Sequence, residues 1–364
     1  MSVFVVAAGG TGGHMVPASV LAAELAARGH RVVLMSDERG LRFPGLFEGV
    51  ETRIVASASI GGRNPLDWLK GALAVARGRS EAKAFLRREA VAAVIGFGGY
   101  PAVPALLAAF ALGVPTILHE QNAVFGRSNR LLAARVGRIA ASFGDTRRLP
   151  ARYAGKTVVI GNPVRAEVLA LGEAPFVPPA PDAPLRLLVT GGSQGASILS
   201  RVVPAALALL PAETRARLAV VHQGRPEDLD AARTAYAAAG IAAELASYLP
   251  DLPARIAAAH LVIARSGAST MAELAVIGRP ALLVPYAAAT DDHQTANAAE
   301  FITAGGGELL PEGAFTPAAV ATAIAQLTTH ATVLANAARA AKTVARPQAG
   351  ARLAEMAVAL GKAA

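Results

Sequence analysis

Two stretches of this chain open in the same way. Residues 3–14 read VFVVAAGGTGGH and residues 185–196 read LRLLVTGGSQGA. Each is a short apolar run, then a Gly-Gly-hydroxyl-X-Gly loop, then a helical pattern. An apolar run of this length, bounded by glycines, fits a strand covered on both faces, as in parallel sheets. A glycine turn after such a strand lets backbone N–H groups approach an anion, with the positive end of the next helix behind them. The plain alternative, that glycines simply make tight turns, is weakened by two loops at matching places, each with a hydroxyl. The pair constrains the chain to repeated β-loop-α units in two domains.

The remaining pattern agrees. The 364 residues suit two domains at roughly 100–200 residues each. In the first, a helix is expected at 17–28, with strands at 3–7, 31–35, 92–95, 116–119, 139–142 and 158–160. Residues 172–184, GEAPFVPPAPDAP, hold five prolines and no apolar period, which marks a connection. Strands follow at 185–190, 218–222, 261–264 and 281–284, and a last helix at 351–360. The run from Ala90 to Leu118 carries no charge. Its glycines and prolines break it into strand, turn, helix and strand rather than one spanning helix.

The chain is 53% hydrophobic and has no cysteine, so disulfides and thiolate metal sites are excluded. The first residues show no basic, cleavable leader, and none is expected. The net charge of +9 is unevenly spread: residues 1–160 hold 20 Lys/Arg against 10 Asp/Glu, and residues 161–364 hold 15 against 16. An excess confined to one half fits a polyanionic partner there, whether nucleic acid, anionic bilayer or phosphorylated ligand, or else a solubilising face.

Two familiar nucleotide motifs fail. Met15 fills the third glycine's place in a dinucleotide fingerprint, and Pro150 stands where a P-loop before Gly155-Lys156-Thr157 needs glycine. Other polar groups gather where strands end. His14 closes the first loop and suits a general base or a local helix-end hydrogen bond. Gly98-Gly99-Tyr100 and His119-Glu120-Gln121-Asn122 read as site walls. Arg265 to Thr270 follows a strand, and Glu273 suits a ribose diol or the helix dipole. Asp291-Asp292-His293-Gln294 opens a helix; capping and sugar binding fit it better than a metal, and no metal is expected. Residues 63–79, RNPLDWLKGALAVARGR, set Leu66, Trp68, Leu69 and Leu73 among basic residues, as in a helix lying on an anionic bilayer or packed on a core.

As a set, GGTGGH (9–14), GFGGYP (96–101), HEQNAVFG (119–126), GNPVR (161–165), GGSQGA (191–196), RSGAST with AEL (265–274) and DDHQ with Asn297 (291–297) resemble the MurG family of peptidoglycan N-acetylglucosaminyltransferases. The resemblance spans nearly the whole chain. It implies an α/β, GT-B fold, with two Rossmann-like parallel-sheet domains facing across a deep cleft. The domains would cover 1–161 and 162–344, and a last helix at about 345–364 would return to the first. It implies inverting transfer of GlcNAc from UDP-GlcNAc to the C4 hydroxyl of MurNAc in lipid I, without a cofactor. His14 would be the base, with Glu120 as the second candidate. Ser193, Gln194 and Arg165 would hold the diphosphate, Glu273 the ribose, and the backbone near Leu249 and Ala268 the uracil. Ser269, Thr270, Met271 and Ala272 complete that wall, Gln294 and Asn122 contact GlcNAc, and Tyr100, Thr11, Gly12 and Gly13 face donor and acceptor. The implied partners are UDP-GlcNAc, the lipid-linked MurNAc-pentapeptide and an anionic membrane surface, at the cytoplasmic face of the bacterial plasma membrane, with no nucleic acid. The rivals are another UDP-sugar enzyme of this fold, such as a glycolipid glycosyltransferase or UDP-GlcNAc 2-epimerase, and a non-catalytic nucleotide-sugar-binding module.

Overall fold

The computed structural model describes residues 1–42, 45–58, 65–192 and 195–362. The chain divides into two compact units, Met1–Arg165 with Pro347–Ala364, and Ala166–Arg346. The first contains β1 (Val3–Ala7), α1 (Gly12–Ala27), β2 (Arg31–Ser36), β3 (Glu51–Ile54), α2 (Pro65–Arg88), β4 (Val91–Gly96), α3 (Val103–Leu112), β5 (Thr116–Glu120), α4 (Arg127–Leu132), β6 (Arg138–Ala141) and β7 (Thr157–Val159). The second contains α5 (Ala166–Glu173), β8 (Leu185–Thr190), α6 (Ser197–Ala208), α7 (Ala212–Ala216), β9 (Leu218–Gln223), α8 (Leu229–Ala238), β10 (Ala242–Ala246), α9 (Leu252–Ala258), β11 (Leu261–Ala264), α10 (Ala268–Ile277), β12 (Ala281–Leu283), α11 (His293–Thr303), β13 (Gly307–Leu309), α12 (Pro317–Thr328) and α13 (Ala331–Thr343). The last helix, α14 (Ala349–Lys362), belongs to the first unit.

Every strand pair is parallel. The sheet orders are β3-β2-β1-β4-β5-β6-β7 and β10-β9-β8-β11-β12-β13. Counted from its own first strand, each begins 3-2-1-4-5-6, the doubly wound order that binds ligands where the strand order reverses. In the first unit that point lies between the ends of β1 and β4. In the second it lies between the ends of β8 and β11. The four glycine-bearing motifs sit on those four ends.

Alternation along β1 builds the first unit's core. Phe4 and Val6 point to a face covered by α1 and α14, where Leu21, Leu25, Leu353 and Ala357 are buried. Val5 and Ala7 point to the opposite face, with Ala82, Phe85, Leu106 and Ala109 of α2 and α3. Close approach of α14 needs small residues: a Cβ on Gly350 would stand 2.9 Å from Val20 Cγ1, and one on Gly361 3.0 Å from Ala92 Cβ. In the second unit Leu185, Leu187 and Val189 pack with α6, α8 and α12.

One expectation needs correction. The first helix begins at Gly12, five residues before Pro17, so Pro17 lies inside it. The loop is therefore only residues 8–11, and Gly12, Gly13 and His14 form the helix's first turn. A proline at this point removes the bond that its own N–H would make to the Gly13 carbonyl. The uncharged run 90–118 folds as expected, into β4, a glycine turn, α3 and β5.

Candidate active site

The first unit assembles its polar groups at the carboxyl end of its sheet. Helix α1 starts without a side-chain cap and without an acidic residue in its first turn. Its leading N–H groups, those of Gly12 and Gly13, thus meet no competing carboxylate from their own turn. Gly9 makes the turn possible, because a Cβ there would lie 2.7 Å from both Asp37 Oδ1 and Pro101 Cβ. Asp37, directly after β2, accepts hydrogen bonds from Tyr100 Oη at 3.3 Å, Arg39 Nε at 3.1 Å and the Gly40 N–H at 3.3 Å. The Arg39 guanidinium lies 4.7 Å from the Tyr100 ring centre. Tyr100 is thereby fixed beside the first loop. Asp37 and Arg39 escaped the sequence reading, although a polar residue straight after a buried strand is the same signal that marked residues 119–122.

His14, half-buried, turns its Nδ1 toward Gln121 Oε1 at 3.0 Å. The ring lies against Gly98 and Gly99, whose φ angles are +80° and +67°. A Cβ on Gly99 would stand 3.4 Å from the imidazole, so side chains here would both strain the turn and crowd the ring.

Glu120, the second candidate base, is held by its own loop. Its carboxylate is buried and accepts the N–H of Asn122 at 3.0 Å, the N–H of Gly126 at 2.8 Å and Asn129 Nδ2 at 2.8 Å. Burial pushes its carboxyl up, against the pull of those donors. These bonds tie down its own loop, residues 120–129, including half-buried Asn122. Arg165, also half-buried, ends the segment that follows β7.

In the second unit, Thr190 and Gln223 shape the second glycine loop. Thr190 Oγ1 donates to Gln223 Oε1 at 2.8 Å and accepts the Gly192 N–H at 3.2 Å, while Gln223 Nε2 donates to the Gly192 carbonyl at 3.0 Å. A Cβ on Gly191 would lie 2.3 Å from the Ala196 nitrogen, so only glycine fits. Ser193 and Gln194, the two polar residues of this loop, lie outside the described residues. The two loops also differ in length: α6 starts at Ser197, seven residues after β8 ends, against five for the first.

Across the reversal point, α10 begins at Ala268 with neither side-chain cap nor acidic first turn. Among the described residues the buried hydroxyls of Ser266 and Ser269 have no hydrogen-bond partner. Orphan hydroxyls beside unsatisfied helix N–H groups suit a ligand rich in acceptors. Thr270 and Ala272 are half-buried, Met271 and Glu273 buried. Glu273 is the sixth residue of the helix, one turn deeper than a residue held there for the dipole. Leu249 is buried in the connection after β10. Gln294, in the first turn of α11, accepts the Tyr286 N–H at 3.0 Å. Before it, Asp291 and Asp292 adopt positive φ of 57° and 52°, and Asp292 accepts from Thr295 Oγ1 at 2.7 Å. All of these residues follow carboxyl ends of strands.

Arg265 is buried and holds this end together. Its guanidinium donates to the carbonyls of Val284 and Pro285 at 3.0 and 3.1 Å and to Glu312 Oε1 at 2.6 Å. Burial opposes ionisation of Glu312, but the bonds from Arg265 and the Ala287 N–H outweigh it and keep its carboxyl below the ordinary range. Removing one partner of a buried pair strands the other charge. Arg265→Ala is expected to cost about 3–5 kcal/mol, read as a lower urea midpoint for the second unit.

Known proteins resemble this chain in sequence and fold. Residues 4–141 match the glycosyltransferase family 28 N-terminal domain, and residues 186–353 the family 28 C-terminal domain. The chain belongs to glycosyltransferase family 28. It is 50% identical over 357 residues to a UDP-N-acetylglucosamine--N-acetylmuramyl-(pentapeptide) pyrophosphoryl-undecaprenol N-acetylglucosamine transferase of Zymomonas mobilis, covering 97% of this chain and 91% of that protein. It is 49% identical to the protein of the same name from Paramagnetospirillum magneticum, covering 97% and 95%. Among solved structures, MurG of Acinetobacter baumannii aligns with a TM-score of 0.80 at 28% identity, over 99% of this chain and 100% of that one. A UDP-GlcNAc 2-epimerase from Neisseria meningitidis aligns at 0.68 but with 15% identity, which speaks for the fold alone. The two sheets of this family 28 glycosyltransferase are those of the GT-B fold.

Proposed function

We propose that this family 28 enzyme moves GlcNAc from UDP-GlcNAc to the C4 hydroxyl of lipid-linked MurNAc-pentapeptide, with inversion at C1. The nearly end-to-end match at 50% identity to proteins named for this transfer carries the reading. The geometry supplies parts that suit it. A sugar hydroxyl is a weak nucleophile, so a base must take its proton as the new C1–O bond forms and the bond from C1 to the diphosphate oxygen breaks. His14 takes that part. Glu120 is a positioning residue that organises the loop carrying Asn122.

UDP leaves with its negative charge increased. Aligned N–H groups at the α10 N-terminus and the second glycine loop, with Ser193 and Arg165, take up that charge. Glu273 accepts from the ribose hydroxyls, the backbone near Leu249 and Ala268 meets uracil, and Gln294 and Asn122 meet the GlcNAc hydroxyls. The test is UDP release from UDP-GlcNAc with a lipid I analogue as acceptor. Release only with acceptor present supports the transfer. Binding of donor without release points to a sensing module, and conversion of free UDP-GlcNAc to its epimer points to an epimerase.

We further propose that the enzyme works at the cytoplasmic face of the plasma membrane, held there peripherally beside its lipid-linked acceptor. Support comes from α2. Gly71, Val75, Gly78, Ala82, Phe85 and Leu86 line its buried face. Leu66, Trp68, Leu69 and Leu73 are exposed, so the core does not account for them, and Lys70, Arg77 and Arg79 lie nearby; Arg63 falls outside the described residues. Among the described residues no single helix is long and apolar enough to cross a membrane. Changing Trp68 and Leu69 to serine is expected to lower partition to anionic vesicles at least about tenfold, since each large apolar side chain is worth roughly 1.5–3 kcal/mol when buried. Binding should also weaken as salt rises. Equal binding by the double variant would remove the membrane contact from this helix.

A further inference from the structure

A chain of hydrogen bonds runs from a backbone carbonyl to His14. His119 is fully buried, with Nε2 at 3.2 Å from the Gly161 carbonyl. Its Nδ1 lies 2.9 Å from Gln121 Nε2, which also donates to the His119 carbonyl at 3.1 Å. Gln121, itself buried, then faces His14 Nδ1 with Oε1 at 3.0 Å.

Each link dictates the next. A carbonyl can only accept, so His119 carries its proton on Nε2. Its Nδ1 is then an acceptor. That nitrogen and the His119 carbonyl claim both hydrogens of the Gln121 amide. Turning the amide over would set Oε1 against two acceptors, so one orientation alone satisfies the chain. Oε1 therefore faces His14, and Oε1 can only accept. We propose that Gly161, His119 and Gln121 form a relay that fixes His14 as the Nδ1–H tautomer, so that the basic lone pair is on Nε2. His119 and Gln121 are positioning residues that act through His14. Burial lowers the His119 pKa to about 4, so the relay stays neutral and ordered across the neutral range. When Nε2 takes the acceptor's proton, the Nδ1–H to Oε1 bond becomes charge-assisted and strengthens. A neutral amide thus does for this base what an orienting carboxylate does for the histidine of a Ser-His-Asp triad.

The tautomer itself can be read apart from catalysis, although the catalytic consequence rests on His14 as the base. Uniformly 15N-histidine-labelled full-length enzyme is observed by long-range 1H–15N correlation at pH 8, where free imidazoles are neutral. His14 is assigned among the seven histidines by its loss in His14→Ala. Wild type should show His14 protonated on Nδ1 and His119 on Nε2. Gln121→Met, similar in size and without the amide, should release His14 to a mixture of tautomers. It should also lower kcat about tenfold or more, with UDP affinity kept as a check on folding. Gln121→Glu still accepts from His14, so it should keep the Nδ1–H form there, disturb only His119, and recover kcat relative to the methionine variant. A wild-type His14 protonated on Nε2, or a His14 tautomer unmoved in Gln121→Met, would overturn the relay. A tautomer that moves while kcat does not would uphold the relay and overturn His14 as the base.

Discussion

Replacing His14 with alanine is expected to lower kcat by roughly 10²- to 10⁴-fold, the usual worth of a positioned base, with donor affinity changed little. The asymmetry follows from where the residue sits. His14 lies in the first turn of α1, in the first unit, whereas the groups suited to UDP, Arg165 apart, lie in the second. Proton transfer occurs only as the acceptor attacks, so a lost base removes an interaction made in the transition state and leaves ground-state donor binding alone. Single-turnover UDP release, with UDP binding measured separately, checks both halves. Retained kcat with collapsed donor binding would make His14 a binding residue only.

The second large effect is on stability against acid. His119 in the first unit and His222 in the second are fully buried, and burial lowers each pKa to about 4. His260 is lowered to about 4 as well, by burial and then by the charges of Arg186, Arg279 and Arg217. Unfolded histidine titrates near 6.5. Between those values the unfolded chain binds protons that the folded chain refuses. Stability should therefore fall as pH drops below about 6.5, by roughly 1.4 kcal/mol per pH unit for each histidine, until the folded groups titrate near 4. Glu51, Glu89 and Glu312, held low by arginine partners, lose their contributions only below the ordinary carboxylate range. Glu120 and Glu308, raised by burial, work in the opposite sense. His222→Asn isolates the histidine part. Urea midpoints between pH 7 and pH 4.5 should fall less steeply in that variant, and an unchanged slope would rule out the His222 contribution.

Strands covered on both faces were legible because their sequences are continuous apolar runs. β1, β4, β5, β8 and β11 stand out in this way. β3, β10 and β13 did not, and all three are sheet edges. None of their residues is fully buried, so they carry no apolar run to read. The start of α1 was misjudged for a related reason. Pro17 looks like a helix opener, but the helix has already begun on Gly12 and Gly13, residues whose composition reads as loop.

The candidate site was legible where polar residues interrupt the ends of apolar strands. His14, Tyr100, Glu120, Asn122 and the residues around Ala268 all follow that rule, and Asp37 and Gln223 follow it too, although they went unread. Sequence gave no sign of how these groups divide the work. Glu120 and His14 are both polar residues at strand ends, yet one accepts its hydrogen bonds from its own loop and the other faces Gln121 across 107 positions of chain.

The sequence by itself determined two parallel-sheet units, their order, and the glycine loops at their strand ends, because apolar periodicity and glycine chemistry are local. Only the tertiary structure decided that Arg265 clamps Glu312. It alone brings the Gly161 carbonyl, His119 and Gln121 into line with His14, because hydrogen-bond partners distant in the chain meet only when packing brings them within about 3 Å.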